Sequence, residues 1–118
     1  MPYIYIVPIE LEDHSCLETL ERFVFHTFHL RTKRKEFKIN LKDAFDPSRV
    51  QYNSSLILRQ LIMKPPPSAE KILGVLDVDL FIPILTFVFG EAQLKGIGAV
   101  VSNHRLNNRL YGLPENRE

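Results

Sequence analysis

Only two stretches of this sequence space their apolar residues as a helix does, against five that read as strands. That imbalance limits how the chain can bury itself. Leu17, Leu20, Val24 and Phe28 form one helical stripe. Ser15, with Glu18 three residues on, makes a capping-box pattern that starts this helix, which runs to about His29. A second helix, capped by Asn53 or Ser54, runs to about Met63 with Ile57, Leu58, Leu61 and Ile62 turned inward. Pro65, Pro66 and Pro67 stop it, because no helix continues through three prolines.

The strands lie around these helices. Tyr3 to Ile9 is aromatic and β-branched and reads as a buried strand. Phe37, Ile39 and Leu41 alternate with Glu36, Lys38 and Asn40, the pattern of a half-buried strand near a sheet edge. Asp46-Pro47-Ser48 is turn chemistry. Lys71 to Leu76 reads as a third strand. Phe87 to Ala92 and Ile97 to Ser102 flank Gln93-Leu94-Lys95-Gly96 as a hairpin with a glycine in its turn. The tail from His104 to Glu118 is polar and expected to be extended or irregular. The order predicts an α/β fold: residues 1–118 as one domain, with a mixed five-stranded sheet of three parallel strands plus a C-terminal hairpin, and two helices.

Five strands at about 4.8 Å spacing make a sheet roughly 20 Å wide, and one helix covers about 10 Å. With the first strand central, the two crossovers place one helix on each face. About half of each face is then expected to stay open, notably over the hairpin, by that same width arithmetic. Ile82, Ile84, Leu85, Phe87, Val88 and Phe89 are too apolar to leave in water, so a further helix, a second subunit or a bound partner is expected there.

Composition excludes more than it assigns. Lys plus Arg is 15 and Asp plus Glu is 14. So flat a balance argues against a nucleic-acid partner, and the basic run from Arg31 to Lys38 reads as a solvated approach to a strand. The run from Leu80 to Phe89 is broken by Pro83 and Thr86 and falls short of the about 20 residues a membrane helix needs, so no membrane partner is expected. The first ten residues, with no basic residue ahead of their apolar run and two prolines within it, make a poor signal peptide. Cys16 is the single cysteine, which allows no internal disulfide and makes a cytoplasmic location the default.

Candidate chemistry is sparse. The turn after the first strand carries Glu10, Glu12 and Asp13 and no glycine, so it would repel a phosphate. His26 and His29 share a helix face, but no third donor is placed near them. They read as helix-end histidines favoured by the dipole. His104 reads as a surface histidine, and Cys16 as a packed thiol without a basic partner. Asp77 and Asp79 read as loop-capping carboxylates. An enzyme using Asp77, Asp79 or Glu91 without a metal is the least favoured reading.

Three motifs follow one another: Asp77-Val78-Asp79-Leu80-Phe81-Ile82-Pro83, Phe87-Val88-Phe89-Gly90-Glu91-Ala92, and Val100-Val101-Ser102 with Arg105-Leu106. The segments from Asp46 to Ser54 and from Tyr111 to Pro114 belong to the same set. From Tyr3 to Pro114 the chain resembles the archaemetzincins, metzincin-type zinc metallopeptidases. The resemblance implies a metzincin-like upper subdomain. It also implies a zinc site on a helix carrying H-E-x-x-H-x-x-G-x-x-H, whose glutamate is the general base, with a downstream Met-turn and a cysteine cluster for a structural zinc. That helix should begin shortly after Pro114 and normally packs on the open sheet face. No H-E-x-x-H occurs in the 118 residues. The resemblance therefore covers the amino-terminal half of the family and carries over no catalytic residue and no metal ligand, and zinc is expected only in full-length members. It does carry a substrate edge, the strand of Phe87, Val88, Phe89, Gly90, Glu91 and Ala92, on which a peptide or protein substrate would lie antiparallel. The leading expectation is an incomplete, truncated peptidase, inactive as it stands. The alternative is a non-catalytic interaction module that self-associates through its uncovered face or binds an extended peptide.

Overall fold

Residues 3–105 are described by the structure, a computed structural model. The expected Tyr111 to Pro114 segment and Leu106 lie outside them. The larger of two sheets has the strand order β2-β1-β5-β8-β7, formed by β1 (Tyr3–Pro8), β2 (Arg31–Arg34), β5 (Ala69–Leu76), β7 (Gly90–Ala92) and β8 (Gly98–Ser102). Strands β2, β1, β5 and β8 run parallel, and β7 returns antiparallel on β8. The expected mixed α/β sheet is therefore present, and β8, the second arm of the hairpin, is what joins it to β5.

Alternation along β1 decides which side each helix covers. Tyr5 and Val7, with Ile72, Leu76 and Val100, pack against Ile57, Leu58 and Leu61 of α2 (Ser54–Leu61). Ile4 and Ile6, with Val75, pack against Leu17 and Val24 of α1 (Ser15–Phe28). One helix thus lies on each face, as the crossovers require. The expected equal deficit on both faces is not what forms. Helix α2 reaches β5, β8 and β7 and shelters that side. The opening is on the α1 side, where Val101, next to the fully buried Val100, is 39% exposed.

Helix α1 starts without its expected capping box. His14 occupies the N-cap position and makes no side-chain cap. Instead Asp13 Oδ1 accepts from the Ser15 backbone N–H at 2.9 Å, which holds the Asp13 carboxyl below its ordinary range. His29 ends the helix in a left-handed turn, φ 58°, donating its N–H to the Phe25 carbonyl. At α2 the expected cap forms: Asn53 Oδ1 accepts from Ser55 N–H at 2.9 Å and from Leu56 N–H at 3.3 Å.

The strand expected over Glu36 to Leu41 is displaced. The strand that pairs with β1 is the basic stretch Arg31–Arg34. An edge strand keeps its charged side chains in water, so basic residues are tolerated there. Phe37 and Ile39 instead pack as an irregular segment against the α2-side core, and Leu41 is buried in it. Gln60 holds that segment: its Oε1 accepts from Asn40 N–H at 2.7 Å and its Nε2 donates to the Asn40 carbonyl at 2.9 Å, doing the work of a neighbouring strand.

A second sheet was not anticipated. It joins β3 (Phe45–Asp46), β4 (Gln51–Asn53) and β6 (Leu80–Phe81) in the order β3-β4-β6. Strands of two and three residues are too short to leave a period. The turn between β3 and β4 is the expected one, with Asp46 Oδ1 accepting from the Ser48 N–H at 2.9 Å and hydroxyl at 2.7 Å. In the β7–β8 turn it is Lys95, φ 63°, and not Gly96 that takes the left-handed conformation. In the tail expected to be extended or irregular, His104 and Arg105 have helical backbone, and the rest of that tail lies outside the described residues.

Candidate functional site: the free sheet edge

The six residues expected as one edge strand divide into two parts. Val88 donates its N–H to the Leu80 carbonyl at 2.9 Å and pairs antiparallel with it, so β6 occupies the outer side of Val88. Regular pairing with β8 begins at Gly90. Ser102 N–H donates to the Phe89 carbonyl and Gln93 N–H to the Gly98 carbonyl. In an antiparallel ladder inward and outward groups alternate. Phe89, Glu91 and Gln93 therefore turn their backbone groups toward β8, and Gly90 and Ala92 turn theirs outward. The expected edge is reduced to these two residues.

The edge is held from behind. Glu91 reaches across to the start of α2, where its carboxylate accepts from the Ser55 hydroxyl at 2.9 and 3.0 Å and from that of Ser54, which is fully buried. An anionic group is favoured at that end of the helix dipole. Gly90 lies so close to the Val100 carbonyl oxygen that a Cβ would overlap it. The opposite edge, β2, is defended. Arg31, Lys33 and Arg34 line it, Lys33 Nζ sits 4.8 Å from the centre of the Tyr3 ring, and Arg34 Nε meets Glu21 at 2.6 Å. Charges of this kind discourage strand addition, and β7, with Gly, an inward-reaching Glu and Ala, has none on its outer side.

The loop leading into β7 is exposed yet anchored. Ile84 is 86% and Phe89 42% exposed. Arg49 donates to the Leu85 and Pro83 carbonyls, both at 3.1 Å, and lies over the Phe81 ring. Gln51 Nε2 donates to the Thr86 carbonyl at 2.8 Å and to Asp79 Oδ2 at 3.0 Å. Arg105 closes the arrangement, with two 2.9 Å bonds to Asp79 and its guanidinium 4.1 Å from the Phe87 ring centre.

The carboxylates singled out in the sequence are thus structural. Asp79 is ion-paired, Glu91 fastens α2, and Asp77 accepts distantly, at 3.5 Å, from the Glu12 N–H. The sequence placed Arg49, Gln51, Ser54 and Arg105 within the segments of the resemblance, and Ser54 as a possible cap, but gave none of these residues, nor Ser55, its partner. The hydrogen-bond partners of their side chains are 26 or more positions away and are brought near only by folding. His26 lies edge-on to Phe25 in the last turn of α1, and Cys16 is exposed on that helix. Among the described residues no group of three or more His, Cys, Asp or Glu side chains is placed to hold a metal ion, so these residues do not fit a zinc. No helix among them is long and apolar enough to cross a membrane.

The Asp79–Arg105 pair gives a pH expectation. The bonds from Arg105, and then from Gln51, lower the Asp79 pKa below 3.8 against an opposing effect of burial. A carboxyl whose pKa is lower folded than unfolded stabilises fully above its unfolded pKa and loses that contribution as pH falls through the folded one. Acid unfolding followed by circular dichroism should therefore show a shallower loss of stability below pH 3.8 in Asp79→Asn than in the parent chain. Equal slopes would mean that the pair adds nothing to acid stability.

No protein-family model matches the chain. Among curated proteins it is 45% identical over 75 residues to the archaemetzincin of Methanocaldococcus jannaschii, covering 64% of this chain and 40% of that one. It is 32% identical over 124 residues to the archaemetzincin of Thermococcus kodakarensis, covering all of this chain and 67% of that one. The crystal structure of the Methanopyrus kandleri archaemetzincin superposes with a TM-score of 0.78 at 28% identity, over 89% of this chain and 59% of that one. That of a zinc-dependent peptidase from Methanocorpusculum labreanum does so with a TM-score of 0.74 at 27% identity, over 92% and 68%. The chain spans 40 to 67% of the length of the first curated relatives it matches.

Proposed function

The chain belongs to the archaemetzincin family, and from that premise we propose that it is the sheet-bearing part of a zinc-dependent peptidase and supplies the edge on which a peptide is laid. One observation carries this reading: of the two outer strands of the main sheet, β2 bears Arg31, Lys33 and Arg34, whereas β7 turns the bare backbone groups of Gly90 and Ala92 outward. The relative from Methanocorpusculum labreanum is described as a zinc-dependent peptidase, which supports the class of chemistry.

The 118 residues contain no H-E-x-x-H and place no metal-binding cluster among those described. In this reading neither the general base nor the zinc of hydrolysis is held by these residues. As a polypeptide of these residues alone, it is expected to cleave no peptide and to take up no stoichiometric zinc. Isothermal titration with zinc after removal of any purification tag checks this. One zinc per chain at submicromolar affinity would overturn it. A cytoplasmic location, favoured by the lone Cys16, is part of the same reading.

Strand addition has its own test. Proline removes one N–H, and at an edge position facing outward it leaves the ladder intact. Ala92→Pro should therefore change the unfolding free energy by less than about 1 kcal/mol and abolish the amide shifts that an extended peptide induces at Gly90. Undiminished peptide shifts in this variant would remove β7 from the reading. The second reading, self-association of two copies through the α1-side opening, is favoured by the exposed Val101 and is read by light scattering on the same sample.

A further inference from the structure

A groove of about 650 Å³ lies between the irregular segment that follows β2 and the proline run that follows α2. That volume falls within the roughly 300–1,000 Å³ of ligand sites. Much of its lining is apolar: Phe37, half-buried against the α2-side core, Met63, 65% exposed, and Pro65 to Pro67. Lys35, Lys38 and Lys64 stand around it, against the single carboxylate of Glu36. All three lysines are exposed, and among the described residues no carboxylate pairs with any of them. Both walls are fastened before any ligand arrives. The two bonds between Gln60 and Asn40 hold the lysine-bearing segment to α2, and the Lys35 N–H donates to the Ile6 carbonyl at 3.1 Å. The proline wall is tied to β1 through Ser68, whose carbonyl accepts from the Tyr3 N–H at 2.8 Å and whose hydroxyl bonds that of Tyr5 at 2.7 Å. Proline rings fix φ, so a ligand would lose little by ordering this wall.

What the groove lacks defines its ligand. Prolines have no N–H to offer, and both ends of the Gln60 amide are engaged with Asn40. The side-chain donors left open are lysine ammoniums, point charges without the planar fork that reads phosphates bidentately. Apolar surface beside three unpaired cations suits a bulky apolar side chain flanked by carboxylates. A nucleic acid is disfavoured, because the chain sets 15 basic residues against 14 acidic ones. We propose that this groove is a docking site for an acidic peptide segment of a partner protein, seated by one large apolar side chain against Phe37, Met63 and the prolines. The site does not depend on the reading of β7, which is the other outer strand of the sheet.

Met1 and Met63 are the two methionines, so methyl-labelled methionine gives Met63 a signal of its own in the full chain. Three peptides are titrated against it: acetyl-Glu-Asp-Phe-Glu-Asp-amide, its neutral isostere with Gln and Asn for Glu and Asp, and the acidic peptide with Ala for Phe. The first should shift the Met63 methyl saturably, and each of the others should bind about tenfold more weakly. Lys38→Gln combined with Lys64→Gln, both at exposed positions, should weaken the first peptide about fivefold. The isostere is read on the parent chain, so the charge requirement is tested even if that variant is unstable. Equal binding of either control peptide, no loss in a folded lysine variant, or no shift of Met63 overturns the proposal. An oligothymidylate that shifts Met63 more tightly than the acidic peptide overturns it in favour of a nucleic acid. A Met63 signal that moves on dilution of the free chain overturns it in favour of a second copy.

Discussion

Leu80→Ala is expected to lower the unfolding free energy by about 2–5 kcal/mol, the range for truncating a fully buried leucine. In a chain of this size that corresponds to a fall of roughly 10 °C or more in melting temperature. Leu80 has no exposed surface, and it is where the two sheets meet: it pairs with Tyr52 of β4 on one side and with Val88 on the other. Its side chain belongs to the same core as Val100, Leu76 and Ile57. The loss should therefore reach beyond a local cavity, and exchange protection at Val88 should fall with it. Denaturant unfolding measures the first effect and amide exchange the second. Leu94→Ala, at the exposed hairpin tip, is the control and should stay within about 0.5 kcal/mol. A Leu80→Ala chain as stable as that control would show that β6 is not part of the cooperative unit.

Gly90→Ala should cost about 1–3 kcal/mol, the usual penalty for overfilling a packed site. The added Cβ meets backbone, the Val100 carbonyl oxygen, with the Val101 Cα 3.1 Å away, so relief requires β7 to shift against β8. Gly98→Ala offers a sharp contrast. There the Cβ meets the Ile62 side chain, with Leu58 Cδ1 at 3.0 Å, and a side chain can give way. A double-mutant cycle should accordingly show Ile62→Ala recovering much of the cost of Gly98→Ala, and Val101→Ala recovering little of the cost of Gly90→Ala. Thermal unfolding of the seven chains, parent included, in the two cycles decides this. Full rescue of Gly90→Ala by Val101→Ala would mean that the clash lies in side chains and that the edge is not fixed by its backbone. For the proposed docking edge the consequence is direct, because a displaced β7 also displaces the outward groups of Gly90 and Ala92.

How far the sequence could be read depended on how local each signal was. Both helices were visible because Leu17, Leu20 and Val24 in one, and Ile57, Leu58 and Leu61 in the other, each bury one face of a single segment. Asp46 and Asn53 were legible because their side chains bond backbone two or three residues away. The capping box failed because Asp13, equally near, satisfied the Ser15 N–H instead. The alternation of Phe37, Ile39 and Leu41 was real, but it recorded burial against α2 and not strand pairing. Period two marks which side chains go inward and is silent about where the backbone finds its partners.

By itself the sequence determined the apolar stripes, the Asn53 cap and the Asp46 turn, the parallel run of the strands that became β1 and β5, the kinship with the archaemetzincins and the lack of an H-E-x-x-H motif. Each is written within a few neighbouring residues or along the chain as a string. Only the tertiary structure decided that the six-residue edge shrinks to Gly90 and Ala92, that α2 shelters the hairpin while the α1 side stays open, and that Asp79, Glu91 and Arg49 serve as fastenings. These outcomes depend on pairs such as Leu80 with Val88, Glu91 with Ser55, and Asp79 with Arg105. Contacts between residues far apart in the chain arise only when folding brings them within bonding distance, and no local pattern encodes which pair will meet.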